Sequence, residues 1–141
     1  MATNTAQVVP AARQAPRQVL NTLRKTVNFN DAGIASGVAF DAALPAGAFI
    51  TSVMVEIVTA FNAGTTNVLT AGFNSSSYND LVAAGDVNEA AAGVTSVTRG
   101  WGRGLTAAAD IVPYVKYTQT GGAATTGQAI VTITYDGGYS T

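Results

Sequence analysis

The chain has 141 residues, the size of one ordinary domain, with 48% apolar and only 11% charged residues and a formal net charge of −1. A soluble globular chain carries roughly 25% charged residues, so this surface must be coated by Thr, Ser, Asn and Gly, a coat that packs on neighbours with few charges to desolvate. There is no Cys and no His, which excludes disulfides, thiolate nucleophiles, the usual zinc ligands and the readiest proton shuttle near neutral pH.

Charge is segregated along the chain. Arg13, Arg17, Arg24 and Lys25 fall within the first 30 residues, which hold no Asp or Glu, whereas residues 31–141 carry three cations and eight carboxylates. Pro10 and Pro16 oppose a continuous helix from the start of the chain, and residues 1–12 are rich in Ala, Thr and Gln. Residues 1–18 therefore read as a basic, flexible arm ahead of one domain over 19–141. Basic segments of this kind lie on acidic partner surfaces or on nucleic acid. No aromatic residue interrupts residues 1–28 to stack on bases, and the acidic remainder repels a polyanion, which argues against nucleic acid. No stretch is long and apolar enough to span a bilayer and no secretory signal opens the chain, so the expectation is a soluble protein without membrane contact.

From residue 19 a period of two sets in: Leu23, Lys25, Val27 and Phe29 share one parity and Thr22, Arg24, Thr26 and Asn28 the other, a strand with one mostly apolar face. After the turn signal Asn30-Asp31-Ala32-Gly33, residues 34–40 predict a second strand, weakened by Gly33 and Gly37. Leu44-Pro45-Ala46-Gly47 is a turn. The clearest strand is 49–61, with Phe49, Val53, Val55, Ile57 and Phe61 on the core parity and Ile50, Ser52, Met54, Glu56, Val58 and Ala60 on a partly covered surface. Asn62-Ala63-Gly64 reads as a hairpin loop into a strand over 67–73. Residues 77–84 and 89–92 carry weak helical signals.

Strands resume at 94–98, at 111–118 and at 128–135, where Ala129, Val131, Ile133 and Tyr135 alternate with Ile130, Thr132 and Thr134. Gly121-Gly122 and Gly127 mark a hairpin loop between the final two strands, and Pro113 points to an edge position or a bulge. Seven or eight short strands with Gly-rich turns and no fixed-period repeat favour an antiparallel sandwich or barrel.

Little in the chain carries chemistry. Gly100-Trp101-Gly102-Arg103-Gly104 after Arg99 puts the lone Trp and two cations on a glycine-rich loop; Trp and Arg are the residues most enriched at interface hot spots. An internal packing loop is the rival reading, and a phosphate cradle lacks its following helix. Asp80, Asp86, Asn88 and Glu89 lie within ten residues, but their spacing matches no EF-hand loop, so they read as turn carboxylates and not as a calcium site. Asp31, Asp41, Glu56, Asp110 and Asp136 are scattered, and nothing pairs two of them for glycoside hydrolysis. Asn74-Ser75-Ser76 fits a glycosylation acceptor, a motif without weight in a chain lacking a secretory signal. The expectation is a protein that is not an enzyme and needs no cofactor or metal, with partner-binding residues Arg13, Arg17, Arg24, Lys25, Arg99, Trp101 and Arg103.

Two passages carry a resemblance. Leu44-Pro45-Ala46-Gly47-Ala48-Phe49-Ile50 with Val53-Met54-Val55-Glu56-Ile57-Val58-Thr59-Ala60-Phe61, and Thr126-Gly127-Gln128-Ala129-Ile130-Val131-Thr132-Ile133-Thr134-Tyr135, resemble the small β-structured virion proteins of tailed bacteriophages, capsid decoration (cement) proteins in particular. The resemblance implies an all-β fold, an antiparallel β-sandwich of jelly-roll type with an extended N-terminal arm. It also implies a place on the capsid surface of the virion, a homotrimer, and the major capsid protein as partner. A receptor- or glycan-binding domain of a phage fibre or tail is the alternative.

Overall fold

A computed structural model describes residues 20–97 and 109–136. Seven strands follow one another among these residues: β1 Leu20–Asn28, β2 Val38–Ala39, β3 Phe49–Thr59, β4 Thr66–Gly72, β5 Gly93–Val97, β6 Tyr114–Thr120 and β7 Gln128–Asp136. They make the expected antiparallel β-sandwich, a four-stranded sheet in the order β1-β7-β3-β5 beside a three-stranded sheet in the order β2-β6-β4. Successive strands alternate between the sheets. Pairing is also nested: β1 lies on β7, β2 on β6 and β3 on β5, closing in on β4 from both directions along the chain.

That alternation overturns two sequence expectations. Neither Asn62-Ala63-Gly64 nor the 121–127 glycines close a hairpin, because β3 and β4, like β6 and β7, belong to different sheets. The two segments are instead crossings that run side by side. The Gly64 and Thr65 amides donate to the carbonyls of Gly122 and Thr120 at 2.7 and 2.9 Å. Asn62 Oδ1 accepts from the amides of Thr125 and Thr126 at 2.7 and 3.0 Å, and Asn62 Nδ2 donates to Thr125 Oγ1 at 2.8 Å. Gly127 is required where the crossing re-enters β7: its φ is +148° and a Cβ there would run into the Phe61 ring.

Four other expectations are corrected. Strand pairing in 34–40 is confined to Val38–Ala39, since Asp31 to Gly37 are taken up by turns, with Ile34 and Gly37 amides donating to Asp31 and Gly33 carbonyls. The helical signals of 77–84 and 89–92 are not realised. Ser76 and Tyr78 sit at φ +74° and +44°, and Asp80 Oδ1 captures the Phe73 amide at 2.7 Å; short polar side chains here compete for backbone groups as they do in turns. In β3 the core parity switches. A register shift between Ile50 and Ser52 inserts Thr51, so Ile50 is buried and Phe49 turns outward, 49% exposed, as a bulge does when it places two residues opposite one. Pro113 precedes β6 and donates nothing to its ladder; its carbonyl accepts the Phe40 amide, and β6 is the central strand of its sheet, not an edge.

The core lies between the layers. Leu23, Val27, Val53, Val55, Ile57, Val97, Ala129, Val131 and Ile133 from one sheet meet Leu69, Ala71, Val115 and Tyr117 from the other, with Leu44, Phe61, Leu81 and Val82 closing the ends. Burying each large aliphatic side chain contributes roughly 1.5–3 kcal/mol. Tyr117 is the large polar-tipped member of this core, its ring tilted on Phe61 at 4.5 Å and its hydroxyl donating to Asn67 Oδ1 on the neighbouring β4 at 2.6 Å.

Candidate interface

The two outer faces of the sandwich differ. The three-stranded sheet is dressed by its own chain. The turn after β4 folds over it, stacking Tyr78 on Tyr114 with ring centroids 4.5 Å apart, and Lys116 Nζ donates to the Ser76 carbonyl at 2.9 Å. Gly37 permits that stack, because a Cβ there would meet the Tyr78 ring at 2.6 Å. Asn74 and Asn79 satisfy each other, side chain to side chain at 2.6 Å and side chain to backbone at 2.8 Å.

Among the described residues, no segment covers the outer face of the four-stranded sheet. Its residues are the parity left over once the core is filled: Arg24 pairs across to Thr132, Met54 and Ser96, and Thr26 pairs across to Ile130, Glu56 and Val94. Phe49 is aligned with Asp136 at one end and Val58 projects at a second register shift near the other. Among the described residues the large exposed hydrophobics are Phe49, Met54, Val58, Val94 and Val112. All but Val112 belong to this one face, and a clustered apolar surface, unlike scattered ones, marks a contact site.

Among the sequence-predicted contact residues, Arg24 stands on this face, exposed. Lys25 points the other way, on the parity of Leu23 and Val27, and its ammonium ends 3.0 Å from Asp41 Oδ1. The two cations therefore do not make one basic patch. An inward charge on an edge strand such as β1 also discourages another strand from adding there. Arg13, Arg17, Arg99, Trp101 and Arg103 lie outside the described residues, as does the arm over 1–18. Sequence reading missed Met54, Glu56, Val94 and Ile130 as a set. The available signal was the alternation in 54–58 and 128–135, whose non-core parity is itself rich in apolar residues.

The carboxylates of the long β4 to β5 connection are spent on local structure. Asp86 Oδ2 accepts the Ala83 amide at 2.8 Å, Asn88 Oδ1 the Ala90 amide at 3.1 Å, and Glu89, buried, accepts the Leu69 amide of β4 at 2.8 Å. Asp31 and Asp110 serve likewise on the amides of Asn28 and Ala46. Among the described residues no three His, Cys, Asp or Glu side chains come together as a metal site would require. Desolvation, and then the Glu89 charge, raise the Tyr117 pKa above its ordinary value of 10.0. What the geometry offers is surface for contact.

No family model and no curated protein matches the chain. Its fold is found in solved structures. A chain in the capsid asymmetric unit of cyanophage Pam1 superposes with a TM-score of 0.54 at 19% identity, covering 95% of this chain and 96% of that one. A chain in the acid-stable capsid of Helicobacter pylori bacteriophage KHP30 gives a TM-score of 0.54 at 18% identity, covering 83% and 86%.

Proposed function

We propose that this chain is a bacteriophage virion structural protein that binds the outer capsid surface, on the major capsid protein, and stabilises the shell by bridging neighbouring capsid subunits. It acts by burying surface and not by catalysis. The observation that carries this reading is a fold shared over nearly the full length of a chain in a phage capsid. The bare face of the four-stranded sheet supports it independently, because a low-charge apolar surface desolvates cheaply on contact.

Strand order supports a jelly roll, an antiparallel ribbon rolled into two facing sheets. Nested pairing of β1 with β7, β2 with β6 and β3 with β5 is what such a ribbon requires. The Ala71↔Val82 bridge beside β4 stands where a further strand would lie. In the same proposal the basic arm reaches a neighbouring subunit, the Trp101 loop anchors the contact, and three copies associate. Each weak contact then gains from the others, which hold it at high effective concentration.

Cosedimentation of the purified protein with capsids that lack it tests the reading, run with the full chain and with residues 1–18 removed. Saturable binding that weakens without the arm, together with added heat resistance of the capsid, is expected. Absence of binding at any concentration would overturn the reading in favour of the receptor- or glycan-binding alternative. The half-buried Tyr78 and Tyr114 pair beside Asn74 is the surface on which that alternative would rest.

A further inference from the structure

We infer that the bare face of the four-stranded sheet is a self-association surface, occupied by the same face of a second copy across a twofold axis. The inference rests on the proposed bridging role and deepens it: two copies standing on neighbouring capsomers would clasp one another, and the clasp would be the bridge.

Charge selects this occupant. The body of the face presents one cation and one anion, Arg24 on β1 and Glu56 on β3. Asp136 lies at its rim with one carboxylate oxygen buried. Arg24 and Glu56 stand two strands and one pleat repeat apart, which is about 12 Å between backbones. No ion pair joins them, the Lys25–Asp41 bridge being the one found among the described residues. A twofold axis in the plane of the contact exchanges any point of the face with its reflection across the axis. The line bisecting the Arg24 to Glu56 separation therefore carries each onto the other. One symmetric contact would place Arg24 on the partner's Glu56 and Glu56 on the partner's Arg24, with Met54 and Ile130 covered between them and Val94, on β5, at the margin beyond Glu56. Such an interface is isologous and closed, and it does not grow into fibres.

Size fits a weak clasp. Four strands about 4.8 Å apart and roughly 25 Å of strand length give a face of about 500 Å² per copy, at the low end of specific interfaces. Two free molecules would hold one another weakly, whereas copies already tethered to a shell would meet at high effective concentration.

The test uses four samples of the full chain: wild type, Arg24→Glu, Glu56→Arg, and an equimolar mixture of the two variants. Mass is followed against concentration by analytical ultracentrifugation, with circular dichroism confirming the fold. Arg24→Glu leaves a face with two carboxylates and Glu56→Arg one with two guanidinium groups, so each should repel its own kind and complement the other. The expected result is a concentration-dependent gain in mass by the wild type above its basal species, be that one chain or three, its loss in each variant alone, and its return in the mixture. Equal behaviour of all four samples, or a mixture that fails to recover, overturns the inference. Capsid cosedimentation of the same samples separates the two readings: a wild type that binds capsids without ever gaining mass with concentration sinks the clasp and leaves the capsid role standing. If the variants lose capsid binding and mixing does not restore it, the face docks on the shell instead.

Discussion

Glu89 ties β4 to the crossing that leads into it. Its carboxylate accepts the Leu69 amide inside the core at 2.8 Å, and its own carbonyl accepts the Phe61 amide at 2.9 Å. Leaving a buried donor unpaired costs about 1–3 kcal/mol. Glu89→Ala should therefore lower stability by about that amount in urea titrations, while Glu89→Gln, which keeps an acceptor, should lose less. Tyr117 gives the molecule an alkaline limit. Its raised pKa means that the folded state holds the phenolic proton more tightly than the unfolded chain does. That contribution is complete below pH 10.0 and is lost as pH rises through the higher folded value. The unfolding midpoint should fall above pH 10, and Tyr117→Phe, though destabilised by loss of its bond to Asn67, should fall less steeply over the same range.

At the scale of elements, the paired crossings are the fold's fastener. Loops that join different sheets cannot use hairpin hydrogen bonds, so Asn62 supplies side-chain bonds to the neighbouring crossing at Thr125 and Thr126. Asn62→Ala should destabilise by about 1–2 kcal/mol, given the modest net worth of each exposed hydrogen bond. Its clearest signature is faster hydrogen exchange at the Thr125 and Thr126 amides, ahead of the amides of β7. Should those amides remain as protected as in the wild type, the crossings are held by their backbone bonds alone.

For the whole molecule, the proposed role of residues 1–18 as a contact arm sets the expectation that the chain without them unfolds at the same midpoint as the full one. A lower midpoint would show that the arm belongs to the fold. Among the described residues the two outer surfaces differ at this scale, one dressed by the 73–80 turn and the other uncovered, and the uncovered one carries the exposed Met54 and Val94.

The sequence alone determined the fold class, because period-two alternation in 22–28, 49–58 and 128–135 depends only on strand geometry and on burying one face. It also removed disulfides, thiolate chemistry and imidazole proton transfer through the lack of His and Cys. Partnership between strands was decided only in three dimensions. A glycine-rich loop reads the same whether it returns the chain within a sheet or carries it to the facing one, so the crossings at 60–65 and 121–127 looked like hairpins. Likewise Thr51 is an ordinary strand residue until its register against β7 makes it the bulge that turns Phe49 outward. The contact face was hidden for the same reason: Arg24, Met54, Glu56, Val94 and Ile130 come from four segments far apart in the chain, and pairing β1, β7, β3 and β5 side by side is what makes them one surface.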